Sequence, residues 1–196
     1  MTEKNSATYS EARIPRLSAE EAKAAADAAG VPAMMADLSV FQVLLRQPKL
    51  AKSMSDLLMT LLWGSALDDR LRELVIMRLG WATKSDYEWT QHWRIALSLQ
   101  LSEADLLAVR DWRVSDRFGP AERAVLAATD ETVTDGAISA STWQACVDHV
   151  SDDHQVLLEL VAAIGTWRMV SGILTSLEVP LEDGVMSWPP DGKGPP

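Results

Sequence analysis

Cysteine is almost missing from this chain: Cys146 is the one thiol in 196 residues. A single cysteine excludes an intrachain disulfide, a Cys-x-x-Cys redox pair and a thiolate metal cage. It suits a reducing compartment, and a cytoplasmic location is expected. Positive charge is also scarce. Eighteen Lys+Arg stand against 28 Asp+Glu, for a net charge of −10, and no local basic run compensates. Such a surface repels phosphate backbones, so nucleic acid is not an expected partner. An anionic membrane surface is disfavoured on the same ground. Apolar runs such as Leu74–Met77 fall far short of a membrane span, and the first residues show no apolar signal-peptide core. Gly-rich phosphate loops, His-Glu-x-x-His and the serine nucleophile elbow are missing too. Phe and Tyr number two each, against eight Trp, so aromatic surface is concentrated in indoles.

What is present is helix after helix. The hydrophobic share is 47% and the charged share 23%, an ordinary globular balance that can fill a core without staples. Ser18 to Glu21 forms a capping box opening an Ala-rich helix that ends by Gly30. Further helices are predicted over about 37–47, 48–64, 68–83, 85–100, 102–112 and 120–135. Two more start at Ser139 and at Ser151 or Asp152, the last running to about Ser176. Period-two alternation is not sustained anywhere, so the fold class is all-α with eight or nine helices. The expected organisation is a flexible arm over 1–17, one helical domain over 18–182, and a Pro/Gly-rich tail over 183–196. Ser187–Pro196 holds four of the nine prolines and is expected to be disordered or extended.

Chemistry concentrates between Leu71 and Arg94, a predicted helical hairpin turning near Lys84. Glu88 and His92 are four apart and share a helix face. Glu73 lies ~15 Å before the turn and His92 ~12 Å after it, at 1.5 Å per residue. The two can therefore be level, with Glu88 roughly one turn nearer the hairpin end. Two carboxylates beside one imidazole make a proton-transfer cluster that raises the ring's pKa, while apolar burial opposes it. Each residue also has a structural alternative. Ser85 and Glu88 fit a second capping box. Glu73 could join Arg70, Arg72 and Arg78 in an exposed ion-pair face. His92 between Trp89 and Trp93 could be a packed core histidine, with Trp81, Trp89 and Trp93 building core, interface or an apolar pocket wall. His149 and His154 with Asp148, Asp152 and Asp153 fit a helix junction better than a metal site, and no metal is expected.

The string Arg72-Glu73-Leu74…Asp86-Tyr87-Glu88-Trp89…His92 resembles the carboxymuconolactone decarboxylase/AhpD-like family, over about Val40 to Glu182. The resemblance implies an AhpD-like helical fold and a homo-oligomer, a trimer or hexamer. In the peroxidase branch of that family Glu73 and His92 would flank a Cys-x-x-Cys pair, and its thiol positions fall here on Ser85 and Glu88. Neither forms a thiolate or a disulfide, so thiol peroxidase chemistry is argued against. The decarboxylase branch is the better resemblance. It implies a cofactor-free lyase or isomerase acting by proton transfer on a small carboxylated or lactone substrate. His92, Glu88 and Glu73 are then the catalytic candidates; Tyr87 and Trp89 would bind substrate, with Arg94 and Arg168 holding a carboxylate. The alternative is a non-catalytic, oligomeric small-molecule-binding member.

Overall fold

The computed structural model describes residues 9–196, and the first eight residues of the expected N-terminal arm lie outside them. Among the described residues there are nine α-helices, two short 3-10 segments and no strand. They divide into two compact units. One holds the described residues to Gly64 together with Ile173–Val185; the other holds Ser65–Gly172 with Met186–Pro196.

In the first unit, α1 (Ala19–Ala29) opens on the predicted box. The Ser18 side chain accepts from the Glu21 N–H, and the Glu21 carboxylate accepts from the Ser18 N–H. Gly30 ends the helix in the left-handed conformation, at φ 70°. The helix expected over 37–47 is shorter than predicted. A 3-10 segment, Ala33–Asp37, precedes α2 (Ser39–Leu44), because Leu38 is extended and breaks the run. Next comes α3 (Pro48–Trp63), with Pro48 in its first turn, where a missing N–H costs nothing. Residues 13–17 run along this unit: the Arg13 N–H donates to the Leu177 carbonyl and the Leu17 N–H to the Gln42 carbonyl.

The second unit carries α4 (Asp69–Ala82), α5 (Asp86–Ser98), α6 (Glu103–Ala108), α7 (Pro120–Thr134), α8 (Ala140–His149) and the greater part of α9 (His154–Leu177). α4 and α5 form the predicted hairpin, and Lys84 makes the turn at φ 58°. Gly80 sits where the two helices are closest. A Cβ there would lie 2.9 Å from the Trp89 backbone nitrogen, so only glycine fits. Pairing of 80 with 89 and of 73 with 92 makes the helices antiparallel. Leu74, Met77, Trp89, Trp93, Leu106 and Leu126 belong to the core between α4, α5, α6 and α7. An ion pair from Arg78 to Asp130 ties α4 to α7, and the Trp112 indole donates to the same carboxylate at 3.0 Å. Glu159 on α9 accepts from the Ala66 and Leu67 N–H groups, at 2.6 and 3.0 Å, which fixes α9 against the start of α4.

Two expectations change. The tail is not loose at its start, because Trp188 is buried in the same core. Its N–H donates to Asp86 at 2.9 Å, Trp89 donates to the Pro189 carbonyl at 2.8 Å, and Arg110 pairs with Asp191. Proline-rich composition hid one large anchoring indole. Second, the last predicted helix is present as α9, but unbroken apolar runs understate its membrane-spanning length. This helix has 24 residues and a mean hydropathy of 1.5 over an 18-residue window, long and apolar enough to cross a membrane by length and composition. In the folded chain it is partly a core helix: Leu157, Leu160, Ile164 and Trp167 are buried.

Candidate active site

The site is built by the α4–α5 hairpin and closed by α9. Glu73 is on the inner face of α4 and has no solvent exposure (0%). Its Oε2 lies 2.8 Å from His92 Nδ1, the level match expected from the axial arithmetic. Glu88 is one turn before His92, with Oε2 3.7 Å from the other ring nitrogen, Nε2. The three side chains therefore meet within the second unit, and all three are buried.

Two side chains that pattern reading did not select complete the cluster. Arg72 is buried rather than exposed. Its Nε donates to Glu73 Oε1 at 3.1 Å, and its Nη1 pairs with Asp69. This overturns the exposed ion-pair face: adjacent positions on α4 turn inward together, with arginine balancing the buried carboxylate. Trp167 of α9 donates its indole N–H to His92 Nε2 at 3.0 Å. The sequence signal for Trp167 was its place on the buried face of an apolar helix, which any core tryptophan shares.

The second capping box is not formed. Ser85 occupies the N-cap of α5 but makes no side-chain cap hydrogen bond. Its Oγ is buried with no hydrogen-bond partner among the described residues. Asp86 is engaged elsewhere, by Thr90 and the Trp188 N–H, and Glu88 turns towards His92. Glu88 is thus released from helix-end duty into the cluster.

Electrostatics shift both Glu88 and His92. Burial pushes the Glu88 carboxyl up to about 7; the His92 charge opposes this and the Glu73 charge adds to it. For His92, burial alone pulls the pKa down. The Glu73 charge and hydrogen bond, then the Glu88 charge, outweigh burial and raise it, with Arg72 opposing. A buried carboxyl that titrates near neutrality, one turn from an imidazole, is suited to passing a proton.

The substrate-binding candidates are placed differently. Tyr87 is buried beside Glu88 on α5. Trp89 is fully buried, stacked among Trp81, Trp93 and Trp188, with its N–H spent on Pro189, so it is core rather than a pocket wall. Arg94 is exposed and donates to Gln91. Arg168 is exposed and lines an open groove of about 700 Å³ with Ile138, Trp143, Val161 and Met169. Neither arginine hydrogen-bonds to the buried cluster. Cys146 lies apart on α8, fully buried, with its thiol pushed up to about 11 by burial and by Glu131. At neutral pH it is a thiol, a poor nucleophile. Around His149 and His154, Asp153 accepts from the Gln155 N–H at 2.8 Å, a helix-start contact.

Residues 48–131 match the Carboxymuconolactone decarboxylase family, a span that contains Glu73, Glu88 and His92 but not Trp167. No curated protein matches the chain. Several solved structures share the fold. One is a protein of unknown function from Agrobacterium tumefaciens, for which an antioxidant-defence AhpD role has been suggested. It is 21% identical, with a TM-score of 0.63 over 69% of this chain and 92% of that one. Another is a cysteine-to-alanine variant of the debrominase Bmp8 in complex with 2,3,4-tribromopyrrole, 16% identical, TM-score 0.74, covering 89% and 94%. A third is an uncharacterized peroxidase-related protein with an alkylhydroperoxidase AhpD core, from Ralstonia eutropha, 14% identical, TM-score 0.70, covering 88% and 93%. At these identities the likeness shows an AhpD-like fold.

Proposed function

We propose, from the match of residues 48–131 to the Carboxymuconolactone decarboxylase family, a cofactor-free lyase or isomerase that moves a proton on a small carboxylated or lactone substrate. The observation that carries this reading is a buried imidazole held between two carboxylates, one of which titrates near neutrality. In a decarboxylation the bond to the carboxylate carbon breaks, CO₂ leaves, and the electron pair delocalises into the unsaturated ring. A proton must then reach carbon. Glu88 holds that proton, His92 passes it, and Glu73 orients the ring through Nδ1. Ser85 Oγ, an unspent donor in the turn before Glu88, is available to a substrate oxygen. Isomerisation uses the same groups, with the proton removed from one carbon and returned to another.

Thiol chemistry stands outside this proposal. Ser85 and Glu88 occupy the thiol positions, and Cys146 is buried and protonated. The bromopyrrole bound by the debrominase shows what that protein accommodates. Here it suggests that planar, electron-rich rings should be included among the compounds screened.

The test is turnover of unsaturated lactone acids, followed by CO₂ release and by loss of the conjugated chromophore. Turnover that falls at least about 100-fold in both His92→Asn and Glu88→Gln supports the reading, in line with the usual worth of general acid–base catalysis. Turnover unchanged in both variants overturns it. The non-catalytic alternative is favoured by one observation: both ring nitrogens of His92 already have protein partners. Calorimetric binding of the same acids with no turnover would establish that alternative.

A further inference from the structure

His92 has two hydrogen-bond partners with different chemical freedom. A carboxyl group such as Glu73 can accept, or donate when protonated. An indole N–H only donates. Trp167 Nε1 lies 3.0 Å from His92 Nε2, and the two rings meet edge-on, at 83° with centroids 5.6 Å apart. The imidazole nitrogen facing that N–H must therefore present a lone pair. The ring is then neutral, with its proton on Nδ1 and donated to Glu73 at 2.8 Å. Glu88 Oε2 faces the same lone pair from 3.7 Å, just outside hydrogen-bond reach. The indole, and the Glu88 carboxyl when it carries a proton, thus face one acceptor.

We propose that Trp167 is a positioning residue: its indole N–H holds His92 as the Nδ1–H tautomer and occupies Nε2, so that a proton passes between Glu88 and His92 only when this hydrogen bond is released. As a statement about catalysis it rests on the proton-transfer reading above; as a statement about hydrogen bonding it does not. The charged and titratable groups facing the ring are Glu73 and Arg72 from α4 and Glu88 from α5. α9 adds a neutral, fixed-direction donor. The carboxylates draw a second proton to the ring, and the indole resists it at the one nitrogen where it would land. A substrate carbonyl or carboxylate oxygen that takes over the indole N–H would free Nε2. Binding and proton transfer are then coupled through one hydrogen bond. Trp167 is fixed for this role by its neighbours on α9, since Leu160, Ala163 and Ile164 are buried and hold that helix face inward.

The experiment is nuclear magnetic resonance on the isotope-labelled full chain. Its primary readout is the nitrogen–nitrogen scalar coupling across the hydrogen bond between Trp167 Nε1 and His92 Nε2, measured in the unmodified protein above neutral pH. The expected result is a resolved coupling with His92 in the Nδ1–H form. In Trp167→Phe the His92 titration midpoint should rise by about half a unit to one unit, the worth of one neutral hydrogen bond. An absent coupling, an Nε2–H tautomer, or an unchanged midpoint in a folded Trp167→Phe variant overturns the inference. If that variant fails to fold, the coupling and tautomer in the unmodified protein decide alone. Coupling present with no turnover of any acid refutes the enzymatic reading and leaves this one standing. Turnover present with no coupling does the reverse.

Discussion

Glu88 is the residue on which sequence and environment pull furthest apart. As the fourth residue of Ser85-Asp86-Tyr87-Glu88 it has capping-box spacing, yet it leaves the helix end and enters a buried cluster. Folding raises its pKa to about 7. The folded state therefore binds a proton more tightly than the unfolded chain does. The resulting stability is fully present at acid pH and is lost as pH rises from the ordinary carboxylate range through about 7. The loss is no more than about 3 kcal/mol, from the size of that shift. Glu88→Gln should flatten this decline in urea unfolding followed across pH, leaving the slope of the same sign that comes from the raised His92 pKa. Identical slopes in the two proteins would show that Glu88 does not titrate between the states. Ser85 yields a second expectation. Its hydroxyl is buried and unpartnered, and such a group costs about 1–3 kcal/mol. Ser85→Ala should raise the unfolding midpoint while reducing kcat/KM, which would mark a donor kept for a ligand. A variant that is both less stable and fully active would contradict this.

At the scale of the element, the helices and most of their ends could be read from residues alone, because caps and periodicity are local. Ser18, Asp68, Ser102 and Ser139 each accept from a backbone N–H one turn on, and Gly30 and Gly64 close helices. The Glu73–His92 contact was legible for the same reason: a short turn and a fixed rise set the level. Arg72 and Trp167 were not. Whether an arginine on α4 faces solvent or its neighbour's carboxylate depends on what packs over it. Trp167 reaches His92 from 75 residues away along the chain. Gly80 is where element geometry becomes site geometry. Any Cβ there meets the Trp89 backbone, which cannot yield as a flexible side chain would. Gly80→Ala should cost about 1–3 kcal/mol by overpacking. It should also move α5 enough to shift the His92 imidazole resonances. An alanine variant of unchanged stability and unchanged His92 signals would mean that the hairpin has slack at this level.

The whole molecule leaves a good deal of apolar surface on one side of α9. Leu158 (69% exposed), Val161 and Met169 are exposed on this helix, and Trp143 on α8 lines the groove with Val161 and Met169. Scattered exposed apolar residues are normal, but a contiguous patch along an otherwise apolar helix marks a contact surface. Its occupant follows from charge. With a net charge of −10 the chain is repelled by an anionic bilayer, whereas a second copy brings a matching apolar face. We therefore expect homo-oligomers assembled through this side of α9, consistent with the trimers or hexamers that the family resemblance implies. Light scattering at micromolar concentration should give a mass that is a multiple of 21.5 kDa. Val161→Asp should return it to the monomer while the helical circular dichroism is kept, because residue 161 is 42% exposed and lines the outer groove. A monomeric unmodified protein would end the proposal. An oligomer indifferent to Val161→Asp would place the interface on another face, leaving the α9 groove, with Arg168 on its rim, open to a small anionic ligand instead.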